Sequence, residues 1–376
     1  MRVTRIESLI VAVPLVRPVL LSRQTFTTRE FNVALVHTDE GHVGVGYGRG
    51  GALVHAAIAG TVAPLVAGRD PRAVEAIWQD VYEATALVGR RGAVLRALSV
   101  VDIALWDVRA KAAGLPLGRL LGADAGDVPA YVSGGYYREG QTTDDLVREM
   151  ARWVERGFRD VKVRVGRLTP VEDAARIEAL RRGLGDGVSV AVDANQGLRD
   201  AATALDLGRR LEGLGVRWLE EPLAADDVAG AARVAAALDM PVAAGEVEQT
   251  RWAFRDLVAA SAADVLQPDV TVVGGVTEWT KVAALASTHG LPVAPHYFTE
   301  VHAHLVAATP GALGVEYFYP DADIISFDPL LVEALVPRDG RIAPSERPGV
   351  GIDLDPAAVE RFRVAHEVVE SRGAAA

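Results

Sequence analysis

The chain has 376 residues, of which 50% are hydrophobic and 24% are charged, a balance typical of globular rather than disordered proteins. Its net charge of −11 is not offset by a stripe rich in lysine or arginine, which argues against a nucleic-acid partner. It contains no cysteine, so disulfides, thiolate catalysis, iron–sulfur clusters and cysteine-ligated zinc are excluded.

The first third of the chain mixes strand and helix patterns. β-branched and alternating residues predict strands at 3–13, 31–40 and 42–48. Apolar residues spaced by three and four predict helices at 53–66, 71–88 and 92–114. We expect an α+β domain over residues 1–125, because glycine and proline cluster near its end.

From residue 126 onward, strands and helices alternate strictly. This predicts a barrel of parallel strands over residues 126–320, with an open doubly wound sheet as the alternative. The alternative lacks a Gly-x-Gly-x-x-Gly motif after an early strand. Residues 321–376 are rich in proline and glycine and are expected to fold back on the first domain. The predicted barrel strands are 128–133, 160–165, 188–193, 216–220, 241–246, 264–268, 291–296 and 313–317.

Three acidic residues end successive predicted strands of the barrel. Asp193, Glu220 and Glu246 are separated by 27 and 26 residues, about one strand–helix unit each. Such a repeat places them around one mouth of the barrel, where they would repel one another unless a cation lay between them. Each alone is equally explained as a helix N-cap, but the set of three favours a site for Mg²⁺ or Mn²⁺.

The next strand ends carry Asp269, His296 and Glu316. An aspartate beside a histidine can fix its tautomer and raise its basicity, so the pair is a candidate general acid/base. A structural histidine at the barrel mouth is the alternative. For His302 and His304, two residues apart on the following helix, we favour structural roles.

The strand at 160–165 alternates valines with Lys162 and Arg164, which puts both cations on one face. The simplest structural reading is that they pair with nearby carboxylates.

Six motifs stand out along the chain: VKVRVG (161–166), VDANQ (192–196), WLEEP (218–222), QPDVTVVGGVTEW (267–279), PHYFTEVHAHLVAATP (295–310) and PGVGI (348–352). In combination they resemble the mandelate racemase branch of the enolase superfamily over nearly the whole chain. The resemblance implies a modified (β/α)7β barrel with an α+β capping domain. It also implies Mg²⁺ held by Asp193, Glu220 and Glu246, and abstraction of the proton α to a carboxylate with the metal stabilising an enediolate.

The resemblance assigns further roles. It implies that Asp269 and His296 form the catalytic dyad and that Glu316 hydrogen-bonds the substrate carboxylate. It implies that Lys162 pairs with that carboxylate, and that Asn195 and Ser133 contact substrate oxygens.

Arg164 departs from the pattern of the family's racemases, in which the second cation of this strand is a basic lysine. Because arginine is a poor proton acceptor at neutral pH, the two-base arrangement is expected to be lost. This favours β-elimination of water from an aldonate or aldarate, giving a 2-keto-3-deoxy acid. A racemase or epimerase, a sugar-lactone cycloisomerase and a non-catalytic metal-binding relative are the alternatives.

Segments 16–31 and 46–55 are predicted as mobile loops that set specificity. Arg17, Arg23 and Arg49 could reach a distal hydroxyl or carboxylate of the substrate, or could be solvated surface charges. The polar character of the first loop favours a polyhydroxy acid over an aromatic one.

The expected partner is a small carboxylate, with no nucleic acid and no membrane, since no apolar run reaches spanning length. The N-terminus predicts a strand rather than an export signal because Glu7 interrupts its apolar run, which points to a cytoplasmic enzyme. The resemblance implies a homo-oligomer, from a dimer to an octamer.

Overall fold

The computed structural model describes residues 1–20, 25–124 and 126–371. A four-stranded antiparallel sheet, in the order β12-β1-β2-β3, forms one side of the N-terminal domain. Its strands are β1 (Val3–Leu20), β2 (Thr25–Thr38), β3 (Val43–Gly48) and β12 (Arg363–Glu370).

The prediction of a loop across 16–31 is wrong for the described part of that segment. β1 continues to Leu20 and β2 begins at Thr25, and the two strands pair through Val19 with Phe26. Val19 is buried, so apolar packing holds this end of the hairpin in strand conformation. The second predicted loop is reduced to Arg49 and Gly50, between β3 and a helix that starts at Gly51.

Six helices complete this domain, with a π-helical turn at Ile58–Val62. The longest, α5 (Ala93–Ala112), packs directly on β3, where a Cβ atom at Gly44 or Gly46 would lie 2.0 Å from a carbonyl oxygen of this helix. Glycine is therefore required in the Val-Gly-Val-Gly pattern of β3. The helices are α1 (Gly51–Ala57), α2 (Ala63–Val66), α3 (Val74–Ala84), α4 (Ala86–Gly89), α5 (Ala93–Ala112) and α6 (Leu117–Leu120).

The second sheet is the predicted parallel barrel. Its strands follow the order β10-β4-β5-β6-β7-β8-β9, and bridges from Val293 to Leu266 and to Ala312 close the ring. The strands are β4 (Val128–Gly134), β5 (Asp160–Arg164), β6 (Ser189–Asp193), β7 (Leu219–Glu220), β8 (Val242–Ala244), β9 (Val265–Leu266) and β10 (Val315–Tyr317).

Helices connect the barrel strands and cover their outer faces. Each connection carries apolar residues of its helix into the shell around the strands, so the (β/α)7β barrel with its cap is confirmed. The helices are α7 (Thr143–Glu155), α8 (Pro170–Leu184), α9 (Ala201–Glu212), α10 (Val228–Ala237), α11 (Thr250–Ala259), α12 (Val270–Val273), α13 (Gly275–Thr288) and α14 (Thr299–Ala307).

After β10 the chain runs through two 3₁₀ turns, Pro320–Ala322 and Asp328–Leu330. It then adds β11 (Arg341–Ile342), antiparallel to β4, and α15 (Pro356–Phe362), before β12 pairs with β1. The division into 1–125, 126–320 and 321–376 stays a prediction. Among the described helices, none combines the length and apolar character needed to cross a bilayer.

Candidate active site

The three predicted carboxylates meet at one mouth of the barrel. Asp193 and Glu220 end β6 and β7 and are direct partners in the parallel register, while Glu246 follows β8 by two residues. One ligand oxygen from each lies within 4.8 Å of the others. The strand register thus converts a spacing of 26 and 27 residues into a compact oxygen cluster.

This cluster fits a divalent cation. Oε2 of Glu246 is buried and has no hydrogen-bond partner in the described structure. Burial raises the pKa of Glu246, which means that its charged form lacks full compensation from the protein. An all-oxygen donor set is the type that Mg²⁺ prefers.

The neighbours of Glu220 hold its carboxylate in place. Oε2 accepts hydrogen bonds from Trp218 Nε1 at 3.0 Å and from Gln267 Nε2 at 2.8 Å, while Oε1 lies 2.5 Å from Lys162 Nζ. Sequence reasoning missed Trp218 and Gln267. Their only signal was a polar or indole side chain two residues before a predicted site residue.

Lys162 and Arg164 both point into the mouth, as their alternation in β5 predicts. Lys162 is fully buried, with Nζ 2.9 Å from Glu316 and 3.8 Å from Asp193. Burial alone lowers the pKa of Lys162, but Glu220 and Glu316 outweigh it and raise the pKa above its usual value. Lys162 is therefore a permanent cation that can hold a carboxylate.

The guanidinium of Arg164 contacts several groups of the site. It contacts Asp193, donates to the hydroxyl of Tyr136 at 2.5 Å and to Ser133 Oγ at 3.4 Å. Tyr136 and Glu316 keep the pKa of Arg164 raised despite the opposing effect of burial. Tyr136 was not found from the sequence, since it follows β4 without a strand-end motif.

His296 and Asp269 form the predicted pair. Nδ1 of His296 lies 2.9 Å from Oδ2 of Asp269, and Nε2 lies 3.8 Å from Glu246. Burial lowers the pKa of His296, but Glu246 and Asp269 raise it to about 9. A cation bound by Glu246 would remove part of that increase, which would return the imidazole toward a proton-accepting form.

Glu316 lies beside Lys162 and completes the circle of charged side chains at the barrel mouth. Its Oε2 accepts from the backbone N–H of Tyr297 at 3.0 Å. Although burial raises the pKa of Glu316, Lys162 and His296 lower it to about 2. In this arrangement Glu316 is a charged partner of Lys162, so a substrate carboxylate would have to share that lysine with it.

Of the remaining candidate residues, some lie at the cavity and others do not. Asn195 lines the cavity beside His296, with φ at +44°, and the buried Ser133 lies against Arg164. Arg49 lines the same cavity, whereas Arg17 is exposed on β1. Arg23 lies outside the described residues.

His302 and His304 take structural positions. His302 accepts from the N–H of Val270 at 3.1 Å and lies 2.6 Å from the carbonyl oxygen of Tyr297. His304 accepts from the N–H of Gly118 at 3.2 Å. Burial lowers the pKa of both histidines to about 4, so they are neutral and connect neighbouring elements through hydrogen bonds.

The cap covers the barrel mouth and encloses a cavity of about 90 Å³ above these residues. Phe26, Thr28 and Arg29 of β2 face His296 and Asn195 across it. A second, more polar chamber shares His296 and Glu246 and extends toward Arg96 of α5. Arg96 was also missed, because the helical pattern of α5 predicts only which face is apolar.

Two family models match the chain. The N-terminal domain of the mandelate racemase / muconate lactonizing enzyme family matches residues 5–122, and the enolase C-terminal domain-like family matches residues 145–358. Together they span the cap and most of the barrel.

Several characterised proteins are similar over most of their length. The L-talarate/galactarate dehydratase of Salmonella typhimurium is 39% identical over 86% of this chain and 80% of that protein. The arabinonate dehydratase of Saccharolobus solfataricus is 34% identical, covering 87% and 89%. The D-galactarolactone cycloisomerase of Agrobacterium fabrum is 33% identical, covering 97% and 99%.

A solved structure shows the same likeness. The L-talarate dehydratase of Polaromonas sp. JS666, complexed with Mg and L-glucarate, superposes with a TM-score of 0.90 at 35% identity. The match covers 99% of this chain and all of that one. A magnesium-bound relative of this similarity, together with the acidic triad, identifies Mg²⁺ as the cofactor.

Proposed function

Because the chain belongs to the mandelate racemase / muconate lactonizing enzyme family of the enolase superfamily, we propose that it is a dehydratase of sugar acids. It would eliminate water from an aldonate or aldarate and release a 2-keto-3-deoxy acid. The observation that carries the proposal is the combination of a His296–Asp269 pair with an arginine, not a lysine, at the second cation position of β5.

The side chains at the barrel mouth would have the following roles. Lys162 binds the substrate carboxylate, and Arg164 adds positive charge beside it. Asp193, Glu220 and Glu246 would hold Mg²⁺, which when bound supplies positive charge where negative charge develops as the α proton leaves. Asn195 and Ser133 would contact substrate hydroxyls.

His296 would carry out both proton transfers of the elimination. Its Nε2 takes the α proton, while Asp269 accepts from Nδ1–H and stabilises the imidazolium. The imidazolium then donates that proton to the departing β-hydroxyl, which leaves as water. The resulting enol becomes the ketone by gaining a proton at the β carbon and losing its hydroxyl proton, so the balance is one sugar acid to one keto acid and one water.

A racemase or sugar-lactone cycloisomerase is the second candidate, favoured by the similarity to the Agrobacterium cycloisomerase. Either would use the α-proton step without loss of water. A homo-oligomer, from dimer to octamer, belongs to the proposal on the family resemblance, and a cytoplasmic location belongs to it on the N-terminal sequence. Light scattering of the purified protein measures the first.

The test is incubation with Mg²⁺ and a panel of aldonic and aldaric acids in D₂O, followed by NMR. We expect a 2-keto product from at least one acid, and a loss of turnover by about 10²- to 10⁴-fold in His296→Asn. Deuterium uptake at the α carbon without a keto product would replace dehydration by isomerisation. Full turnover by His296→Asn would overturn the role of His296.

A further inference from the structure

Two arginines of the cap line the polar chamber that opens from the metal site. Arg49 lies between β3 and α1, and Arg96 lies in the first turn of α5. The same chamber is lined by Asp269, Glu246 and His296. The two cations therefore belong to the cap but face the reaction site.

Neither arginine has a carboxylate partner in the described part of the chain. No Asp or Glu oxygen comes within 4.0 Å of either guanidinium, whereas Arg164 contacts Asp193 in the same site. The guanidinium of Arg49 lies over the ring of Phe26, 5.3 Å from its centroid. The two partly enclosed guanidinium groups thus form no direct ion pair, although Asp269 and Glu246 act on Arg96 at longer range.

Although carboxylates line the chamber, none is paired directly with either arginine, so both guanidinium groups can still bind an anion at close range. Burial lowers the pKa of Arg96, Asp269 opposes this effect, and Arg49 adds to it as a like charge. A guanidinium removed from water without a counter-ion loses hydration that nothing replaces. A bound carboxylate would supply that charge, and its two oxygens match the planar fork of arginine.

A third group points to the same ligand. Thr271 is fully buried, lines the chamber, and its Oγ1 has no hydrogen-bond partner in the described structure. A Cβ atom at Gly48 would lie 3.0 Å from Cβ of Thr271, so this hydroxyl sits against the segment that carries Arg49. It can donate to an oxygen of an anion held there.

We propose that Arg49, Arg96 and Thr271 bind the second carboxylate of a dicarboxylic sugar acid, which makes the substrate an aldarate rather than an aldonate. The inference rests on the proposed function and names its substrate class. Lys162 and Arg164 would hold the first carboxylate at the barrel mouth, where Arg164 lines the cavity beside His296. Glu30 lines the chamber as well and would face the hydroxyls of the chain between the two carboxylates.

The kinetic test compares galactarate with galactonate, which differ in the charge of one end. In the wild type we expect the diacid to have the higher kcat/KM. Arg96→Gln and Arg49→Gln should each lower kcat/KM for the diacid by about 10- to 100-fold, the loss of a charged hydrogen-bonding pair, and lower that for the monoacid far less. Arg17→Gln, an exposed cap arginine, is the matched control and should change neither.

A binding test separates this inference from the proposed reaction. The thermal shift produced by a sugar diacid monohydroxamate with Mg²⁺ is compared with that of the hydroxamate of the matching monoacid. A larger shift by the diacid analogue, lost in both arginine variants, supports the subsite even if no acid is dehydrated. Equal shifts in the wild type, or variants that lower both substrates equally, would overturn it.

Discussion

Arg164 is the residue that most separates this site from a two-base one. Its guanidinium reaches Asp193, Tyr136 and Ser133 at once, a set of contacts that a lysine ammonium could not reproduce. Glu316 lies 3.9 Å away and adds to the charges that keep the arginine protonated. The contacts of Arg164 are those of a fixed positive charge rather than of a group that accepts and releases protons.

This role predicts the order of activity among variants at position 164. Arg164→Lys should keep part of the turnover, because the charge remains while the contact to Tyr136 is lost. Arg164→Met should lose more, since it leaves Asp193 without this cation. Turnover and the stereochemistry of deuterium uptake in D₂O are the measurements.

A base role for Arg164 would give a different result. Lysine is the better proton acceptor, so Arg164→Lys would then raise turnover or deliver deuterium to both faces of the α carbon. Tyr136→Phe serves as the control, because it removes the same contact without changing the charge.

The elements of the barrel could be predicted from the sequence better than those of the cap. Parallel strands in register turn a repeat of 26 or 27 residues into neighbouring carboxylates, so Asp193, Glu220 and Glu246 were found from spacing and strand ends alone. The first hairpin was not, because its register shifts between Pro14 and Val19 and interrupts the alternation. Arg96 lies on a helix whose pattern carries no information about which cation faces a cavity in another domain.

Helix α5 carries a buried carboxylate that belongs to packing rather than to the site. Asp102 accepts hydrogen bonds from N–H and Oγ1 of Thr277 in α13, at 3.0 and 2.6 Å. Burial raises its pKa to about 7 in spite of these bonds. The cap and the barrel are joined here by a group that binds a proton more tightly when folded.

The sign of the resulting pH dependence follows from that shift. Because the folded pKa of Asp102 exceeds the usual value of 3.8, its contribution is fully present below about pH 4 and is lost as pH rises through about 7. Asp102→Asn removes this titration. The free energy of unfolding of the variant, relative to wild type, should therefore rise by about 3 kcal/mol between pH 5 and pH 8.

Chemical denaturation of both proteins at the two pH values measures this difference. Asp256→Asn, at an exposed position on α11, is the control and should show no such trend. A difference between Asp102→Asn and wild type that stays constant with pH would contradict the assignment.

In the whole folded molecule, buried negative charge is concentrated at the barrel mouth. The barrel mouth gathers Asp193, Glu220, Glu221, Glu246, Asp269 and Glu316, all buried or nearly so, against the permanent cations Lys162 and Arg164. His296 adds a third positive charge when protonated. A divalent ion offsets most of the remaining excess, so binding should stabilise the fold and not only complete the site.

Cap and barrel should share that stabilisation. Trp78 of α3 donates to the carbonyl oxygen of Gly274 at 2.8 Å, and Trp106 of α5 donates to Thr277 Oγ1 at 2.8 Å. β12, the last strand of the chain, pairs with β1 of the cap. These contacts tie the unfolding of one part to that of the other.

Mg²⁺ should therefore raise the melting temperature of the full chain in a saturable way, and EDTA should reverse the effect. At a hundred times Kd the gain is about 2.7 kcal/mol. Glu246→Gln should melt at the same or a higher temperature than wild type without metal, because it removes a buried carboxylate with an unpaired oxygen, and should lose most of the Mg²⁺-dependent increase. Glu300→Gln, which changes another buried carboxylate outside the triad, should keep that increase. An equal Mg²⁺ shift in Glu246→Gln and wild type would show that the ion binds elsewhere.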